Sequence, residues 1–346
     1  MTSSQYTFFG DHIALEALTQ AGDRLVELDR QVDMQSLVAV ADGIWRQSTA
    51  PAKGPGGRKP WSSEVMWRVL LLKRLYNLSD EQTEFQRRDR LSFLRFARLG
   101  LGDEVPDSRT IWLYGELLSQ ADGARKLFDA FHQQLLAQGL IVKEGIMVDA
   151  TMVEVPRQRN SREENALVKQ DETPSEWKKQ PRKLAQKDVD GRWTKKGDQV
   201  FYGYKDHVKT TEQSKFIVDY VATPASVADP AVAPKLIGEA DRGVRLHADA
   251  AYSGKPLADY FAAKGVRNHV HEKGAVNRPL TEEQKHANRR RSTIRARVEH
   301  PFAFMEQSLG GIYNRCIGLV RNTHQIGMMN LAYNLCRSAQ LLRVTA

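Results

Sequence analysis

The chain has 346 residues, 41% of them hydrophobic and 27% charged, enough to bury one large core or two modest ones in a soluble globular protein. Fifty-one Lys and Arg against 42 Asp and Glu leave a formal charge of +9, so the surface favours a polyanionic partner. No membrane span is expected, because apolar runs such as Val69-Leu70-Leu71-Leu72 fall far short of the roughly 20 residues a bilayer requires.

Met1-Thr2-Ser3-Ser4-Gln5-Tyr6 lacks the basic start and apolar stretch of a secretory signal. Cys316 and Cys336 build no disulfide framework and lack the paired spacing of a zinc site, so a reducing cytoplasm is the expected compartment. Residues 1–47 read as an N-terminal helical arm, and 48–60 (STAPAKGPGGRKP), rich in Gly, Pro and Ala with no apolar period, as a linker. No Gly-Lys-Ser/Thr follows those glycines, which argues against a phosphate loop.

Residues 61–140 form one predicted helical domain. From Trp61 the apolar Val65, Met66, Val69, Leu70, Leu72 and Leu75 recur at helical spacing, and Ser79 with Gln82 makes a capping-box start for the next helix. Further helices are predicted over Leu91 to Ala97, Ser108 to Leu118 and Ala124 to Gln138. At Ile141 the period changes and a domain running to 346 begins. Gly145-Ile146-Met147-Val148-Asp149 reads as a buried strand delivering a carboxylate at its C-terminal end. Twelve Lys and Arg outnumber seven Asp and Glu between Arg157 and Lys196, and 157–198 reads as a solvated, charged insertion.

After it, Val200 to Lys209 and Lys215 to Thr223 alternate around a polar turn, the pattern of a hairpin. A helix near Pro230 to Glu239, a strand Val244 to Asp249, a helix Lys255 to Ala263, a strand Val266 to Val270 and a long helix from about Glu282 to Gln307 complete the order. The pattern predicts a mixed α/β fold, a five-stranded sheet flanked by helices. Leu309 to Leu342, apolar and without an acid, reads as a closing helix packed on this domain. From Gln284 to the C-terminus ten basic residues face two acids, Glu299 and Glu306, which with the insertion points to a phosphate backbone as partner.

Three acids take comparable positions in this layout: Asp149 and Asp249 at strand ends and Glu299 on the last long helix. If the first and fourth predicted strands are neighbours, the two aspartates lie side by side and the helix lays Glu299 over them. Carboxylates so close repel one another, and a pair of Mg²⁺ ions, hard and oxygen-seeking, offsets the repulsion. Two ions about 3.5–4 Å apart can activate an attacking oxygen and stabilise a leaving one in an in-line phosphoryl displacement.

Val148-Asp149-Ala150-Thr151, Ala248-Asp249-Ala250-Ala251-Tyr252-Ser253-Gly254 and Arg295-Ala296-Arg297-Val298-Glu299-His300-Pro301-Phe302 resemble the three signature blocks of the DDE transposases of bacterial insertion sequences, with the insertion-sequence-five group the nearest match. The likeness includes Leu72-Lys73-Arg74-Leu75-Tyr76-Asn77-Leu78-Ser79-Asp80, Asp89-Arg90-Leu91-Ser92-Phe93, Arg157-Gln158-Arg159-Asn160, Arg192-Trp193-Thr194-Lys195-Lys196 and Tyr202-Gly203-Tyr204-Lys205-Asp206-His207-Val208-Lys209, and covers about 60 to 343. The resemblance implies an RNase H-like catalytic domain over 141–346 and an all-α DNA-binding region before it. It implies Asp149, Asp249 and Glu299 as catalytic metal ligands for two Mg²⁺, with Mn²⁺ able to substitute. It further implies cleavage of the ends of the protein's own element and joining of the freed 3′-OH to target DNA.

Arg295, one turn before Glu299 and on the same face, and Tyr252, three residues after Asp249, match the family pattern. Two positions depart from it: Ser292 stands where a Tyr is expected and Glu306 where a Lys is expected. Further contacts to DNA follow from the residues. Arg109 and Thr110 open a capped helix that either reads a major groove or packs in the core through Ile111, Leu113 and Leu117. Trp193 either stacks on a splayed base beside Arg192, Lys195 and Lys196 or anchors its own loop. Lys205, His207 and Lys209 alternate and share one face, expected to meet DNA; His269 and His271 also share a face, without a third zinc ligand nearby.

The expected partners are double-stranded DNA, as terminal inverted repeats and target, and a second copy of the chain, since two DNA ends must meet in one complex. Two other readings stay open: an RNase H-like nuclease without strand transfer, and a domesticated, non-catalytic DNA-binding protein suggested by Glu306.

Overall fold

Local capping and apolar spacing account for the first half of the fold. In a computed structural model describing residues 10–48, 59–274 and 278–345, the chain forms α1 (Gly10–Gln20), α2 (Arg24–Gln31), α3 (Met34–Ser48), α4 (Ser63–Leu75), α5 (Asp80–Asp89), α6 (Leu91–Phe96), α7 (Ser108–Gln120) and α8 (Gly123–Ala137). The predicted linker lies outside the described residues from 49 to 58. Ser79 and Gln82 exchange side-chain and backbone hydrogen bonds at the start of α5, the predicted capping box. In α4, Met66, Trp67, Val69, Leu71 and Leu72 are wholly buried. Arg68 is buried with them; its guanidinium meets Asp29 at 2.6 Å and Glu64 at 3.1 Å and donates to the Phe96 carbonyl, so the charge is compensated.

The chain falls into two compact units. One extends to Phe131 and resumes at Leu335; the other runs from His132 to Asn334. The second holds β1 (Ile146–Glu154), α9 (Arg162–Lys169), α10 (Ser175–Lys178), α11 (Pro181–Leu184), β2 (Arg192–Lys196), β3 (Gln199–Thr211), β4 (Ile217–Pro224), α12 (Asp229–Leu236), β5 (Arg245–His247), α13 (Lys255–Ala263), β6 (Arg267–Asn268), α14 (Glu282–Arg295), α15 (Glu299–Ser308) and most of α16 (Leu319–Thr345). β3 pairs antiparallel with β1, β2 and β4, while β5 runs parallel to β1 and β6 parallel to β5.

The sheet therefore has six strands where five were expected. The extra one, β2, arises inside the charged segment 157–198, and that segment is more than a solvated insertion. Trp177 is wholly buried with its indole N–H donating to Glu164 at 2.6 Å, and buried Asp188 accepts from Tyr204 Oη at 2.7 Å. Polar anchors hold it down, which an apolar-period reading does not detect. The long helix expected over 282–307 is also interrupted, by a 3₁₀ turn at Ala296–Val298.

Strand alternation separates the two faces of the sheet. Ile146 and Val148 of β1 pack with Val244, Leu246 and Ala248 against Val232, Ala233, Leu236 and Phe261 of α12 and α13. Where β1 and β3 approach, residue 203 must be glycine: its φ is +141° and a Cβ would lie 2.4 Å from the Val153 carbonyl oxygen.

Candidate active site

The parallel pairing of β1 and β5 aligns Ile146 with Leu246 and Met147 with His247. Two residues on from this register lie Asp149, within β1, and Asp249, just beyond the end of β5. Asp149 is the fourth residue of a nine-residue strand, not its end as predicted, because β1 continues beside β3 to Glu154. Asp249 lies just past β5 and caps a 3₁₀ turn, its Oδ1 accepting from the Ala251 N–H at 2.9 Å.

The Asp149 side chain is 17% exposed. Its Oδ1 accepts from the Ala150 N–H at 2.8 Å and its Oδ2 from Arg295 Nη2 at 3.2 Å. Burial raises its pKa above the ordinary carboxylate value despite these two donors, and the charge of Asp249 pushes the same way. Arg295, the last residue of α14, also lies 3.9 Å from Glu299 Oε1, while the Glu299 side chain remains 65% exposed. Val298, wholly buried, anchors the turn between them.

Arg295 thus lies between Asp149 and Glu299, while Asp249 acts on Asp149 only through its charge. Among the described residues the structure gathers no group of three His, Cys, Asp or Glu able to hold a metal ion. Carboxylate oxygens are the donors a hard divalent cation prefers, and the Asp149 side chain is more buried than that of Glu299. Tyr252 adds a buried hydroxyl with no hydrogen-bond partner, and burial followed by the charges of Asp229, Asp149 and Asp249 raises its pKa.

Several residues expected at the DNA are buried within the protein. Tyr252 is 2% exposed and offers no surface to a duplex. Lys205, His207 and Lys209 do share a face, but that face is buried under α12 and the turn after it. Lys205 Nζ meets Asp229 at 2.7 Å and the Val227 carbonyl at 2.8 Å, Lys209 Nζ lies 3.2 Å from both oxygens of Asp241, and His207 Nε2 shares a hydrogen bond with Thr223. Burial brings the His207 pKa down to about 4. Arg192 is buried too, its guanidinium paired with Asp171 and donating to the Val189 and Gly191 carbonyls.

Other residues keep the exposure predicted for them. Trp193 is 44% exposed, with the Arg157 guanidinium 5.7 Å above its ring, and Lys195 and Lys196 are exposed beside it. Arg109 is exposed and Thr110 half-buried at the start of α7, where Asp107 accepts from the Thr110 N–H at 2.7 Å. That helix packs through Ile111 and Leu118, whereas Trp112 and Leu113 are exposed. Glu306, at the position of the expected Lys, accepts from the Ile312 N–H at 3.0 Å and so serves the turn after α15. Ser292 bonds to the Asn288 carbonyl and lies 3.3 Å from His271 Nε2.

Sequence reasoning missed His247, which is 2% exposed with its ring 5.3 Å from that of His269. Burial first, then His269 and nearby arginines, lower its pKa to about 4. It also missed Asp229 and Asp241, the counter-charges of the buried lysines. The signal for them was the alternating basic run itself, which needs acids if it is covered.

With β3 antiparallel to β1, β2 and β4, β5 parallel to β1, β6 parallel to β5, and helices flanking the sheet, this unit is a mixed α/β domain consistent with a DDE transposase fold. Residues 141–335, more than half of the chain, match the family described as Transposase DDE domain, and residues 13–116 match Transposase domain (DUF772). The chain belongs to the DDE transposases, DNA-processing enzymes of transposition and recombination whose family generally uses divalent metal ions. No solved structure matches the chain. Among the described residues no helix is long and apolar enough to cross a membrane.

Proposed function

We propose that the protein cleaves the ends of its own insertion sequence, of the insertion-sequence-five group, and joins the resulting 3′-OH ends to target DNA. Asp149, Asp249 and Glu299 would hold two Mg²⁺ ions, or Mn²⁺ in their place, which when bound supply Lewis-acid activation of the attacking and leaving oxygens. The single observation that supports this reading is the parallel register of β1 and β5, which ends two residues before Asp149 and Asp249, with Arg295 lying between Asp149 and Glu299.

The chain's own residues have separable tasks. Asp149 is fixed by its strand and Asp249 by the turn it caps, so neither needs to reorganise when a phosphodiester enters. Arg295 offers a fork of donors suited to a phosphate oxygen pair. Trp193 with Lys195 and Lys196 supports contact with a strand opened beside the cleavage site. Arg109 and Thr110, within a DNA-binding region at 61–140, support recognition of the terminal inverted repeat. No residue becomes covalently attached to DNA; water and then the 3′-OH attack phosphorus, and the displaced 3′-oxygen leaves. Two copies assemble, one on each DNA end.

The alternative of a domesticated, non-catalytic protein keeps its motive in Glu306, whose carboxylate accepts from the Ile312 N–H in the turn after α15. The test incubates the full chain with Mg²⁺ and duplexes carrying the flanking terminal repeats, and sequences the products. Nicks with 3′-OH ends followed by joined molecules are expected from the wild type and not from Asp149→Ala. Nicks without joining would favour the nuclease reading, and no nicking under any divalent cation would refute catalysis.

A further inference from the structure

The basic residues after Gln284 part company on folding. Arg291 and Arg295 turn inward, Arg291 Nη1 donating to the Val270 carbonyl at 2.9 Å and Arg295 Nη2 meeting Asp149 at 3.2 Å. Arg315 lies over the Tyr313 ring and Arg343 meets Glu27. Arg289, Arg290 and Arg297 instead stand exposed on the outer side of α14 and the 3₁₀ turn that continues it. α14 has no buried residue; Gln284, Asn288, Arg291 and Arg295 dock it through polar contacts, and helical spacing turns Arg289 and Arg290 the other way.

Exposed arginines elsewhere on the chain are neutralised locally: Arg46 by Asp42, Arg88 by Glu84 and Arg242 by Glu239. On α14 the residues one turn before Arg289 and Arg290 are Lys285 and His286, and one turn after stand Thr293 and Ile294, so neither has an acid at helical spacing. Neither guanidinium forms an ion pair among the described residues.

We propose that the outer face of α14, through Arg289, Arg290 and Arg297, is a docking surface for the phosphate backbone of double-stranded DNA, engaged without regard to sequence and without a divalent ion. Like charges on one helix face repel one another, and a phosphate backbone relieves that repulsion while releasing its own condensed counterions. Arg289 and Arg297 are eight residues apart. At helical rise that is about 12 Å, a length that about three or four successive phosphates of one strand cover along the duplex axis. The guanidinium fork suits a phosphate oxygen pair. The same helix ends at Arg295 beside Asp149, so a duplex lying along it is led towards the candidate site. The inference rests on the DNA-partner reading given above, and not on ions at the acids.

The test is fluorescence anisotropy of the full-length protein in chelator, across a salt series, with one duplex carrying the flanking terminal repeat and one of unrelated sequence. Arg289→Gln combined with Arg290→Gln is expected to lower the salt slope on both duplexes by about 1.8, at about 0.9 per lost phosphate contact, with an unchanged melting curve. Arg297→Gln alone should lower it by about half as much. Arg289→Lys combined with Arg290→Lys should keep the slope, since an ammonium still neutralises a phosphate. Arg242→Gln, which removes an exposed arginine already paired with Glu239, should leave it unchanged. An unchanged slope in the glutamine variants, a fall confined to the repeat-bearing duplex, or an equal fall per charge in Arg242→Gln would overturn the proposal. Failure of the wild type to bind either duplex would instead remove the DNA reading, and the proposal with it.

Discussion

Replacing Lys209 by Met separates two accounts of the basic strand. Lys209 Nζ lies 3.2 Å from both carboxylate oxygens of Asp241, and the two side chains are only 11% and 9% exposed. Met fills the space of the aliphatic stem, so the loss is mainly electrostatic and leaves Asp241 buried without its counter-charge. Breaking a buried pair in this way costs about 3–5 kcal/mol. The Gly238 N–H, which donates to Asp241 Oδ2 at 2.8 Å, still partly solvates the carboxylate and argues for the lower end.

For a unit of this size a loss of about 3 kcal/mol corresponds to a fall of about 6–12 °C in Tm. Urea unfolding should give the same loss, and the double variant with Asp241→Leu should recover most of it, since removing both charges leaves nothing unpaired. Binding of a duplex, followed by fluorescence anisotropy across a salt series, should keep its salt slope. A phosphate contact by Lys209 would lower that slope by about 0.9. Near-native melting together with a slope reduced by that amount would refute the buried-pair account and restore the strand to the DNA surface.

The remaining predictions concern the acids, the exposed tryptophan and the core. Because burial raises the Asp149 pKa in the folded protein, its ionisation opposes folding: the relative stabilisation present below the unfolded carboxylate pKa is lost as pH rises through the folded one. Asp149→Asn should therefore melt above the wild type at neutral pH in chelator, with the gap closing in acid; a lower melting temperature at neutral pH counts against the argument. Trp193→Ala should weaken binding of single-stranded DNA by about 1–3 kcal/mol with little change in melting, since the ring is 44% exposed; unchanged anisotropy titrations would remove it from the interface. Phe261→Ala empties a fully buried position in the α13 core and should cost about 3–5 kcal/mol in urea unfolding.

Much of the fold was legible because its determinants are local. The box at Ser79 and Gln82 specifies a helix start within four residues, and α13 begins at Lys255 and ends at Ala263 as its apolar spacing predicts. The same local signal was present and unread at Ser161 with Glu164 and at Thr281 with Gln284, both of which close capping boxes. Segment 157–198 was read as solvated because its stability lies in a few long-range anchors. One buried Trp and one buried Asp have no periodicity, so no pattern along the chain announces them.

The candidate site shows where such reading stops. Alternation establishes that Lys205, His207 and Lys209 share a face, but whether solvent, DNA or protein lies over that face depends on residues 24 and 32 positions further on from Lys205 and Lys209, Asp229 and Asp241. Helical spacing likewise places Arg295 and Glu299 together. The 3₁₀ turn between them, pinned by buried Val298, then leaves Glu299 largely exposed while Arg295 reaches Asp149. A carboxylate motif read from spacing therefore names residues of a site without fixing which positive charge lies among them. The charge that lies between Asp149 and Glu299 is a guanidinium from the same helix segment, and spacing alone does not announce it.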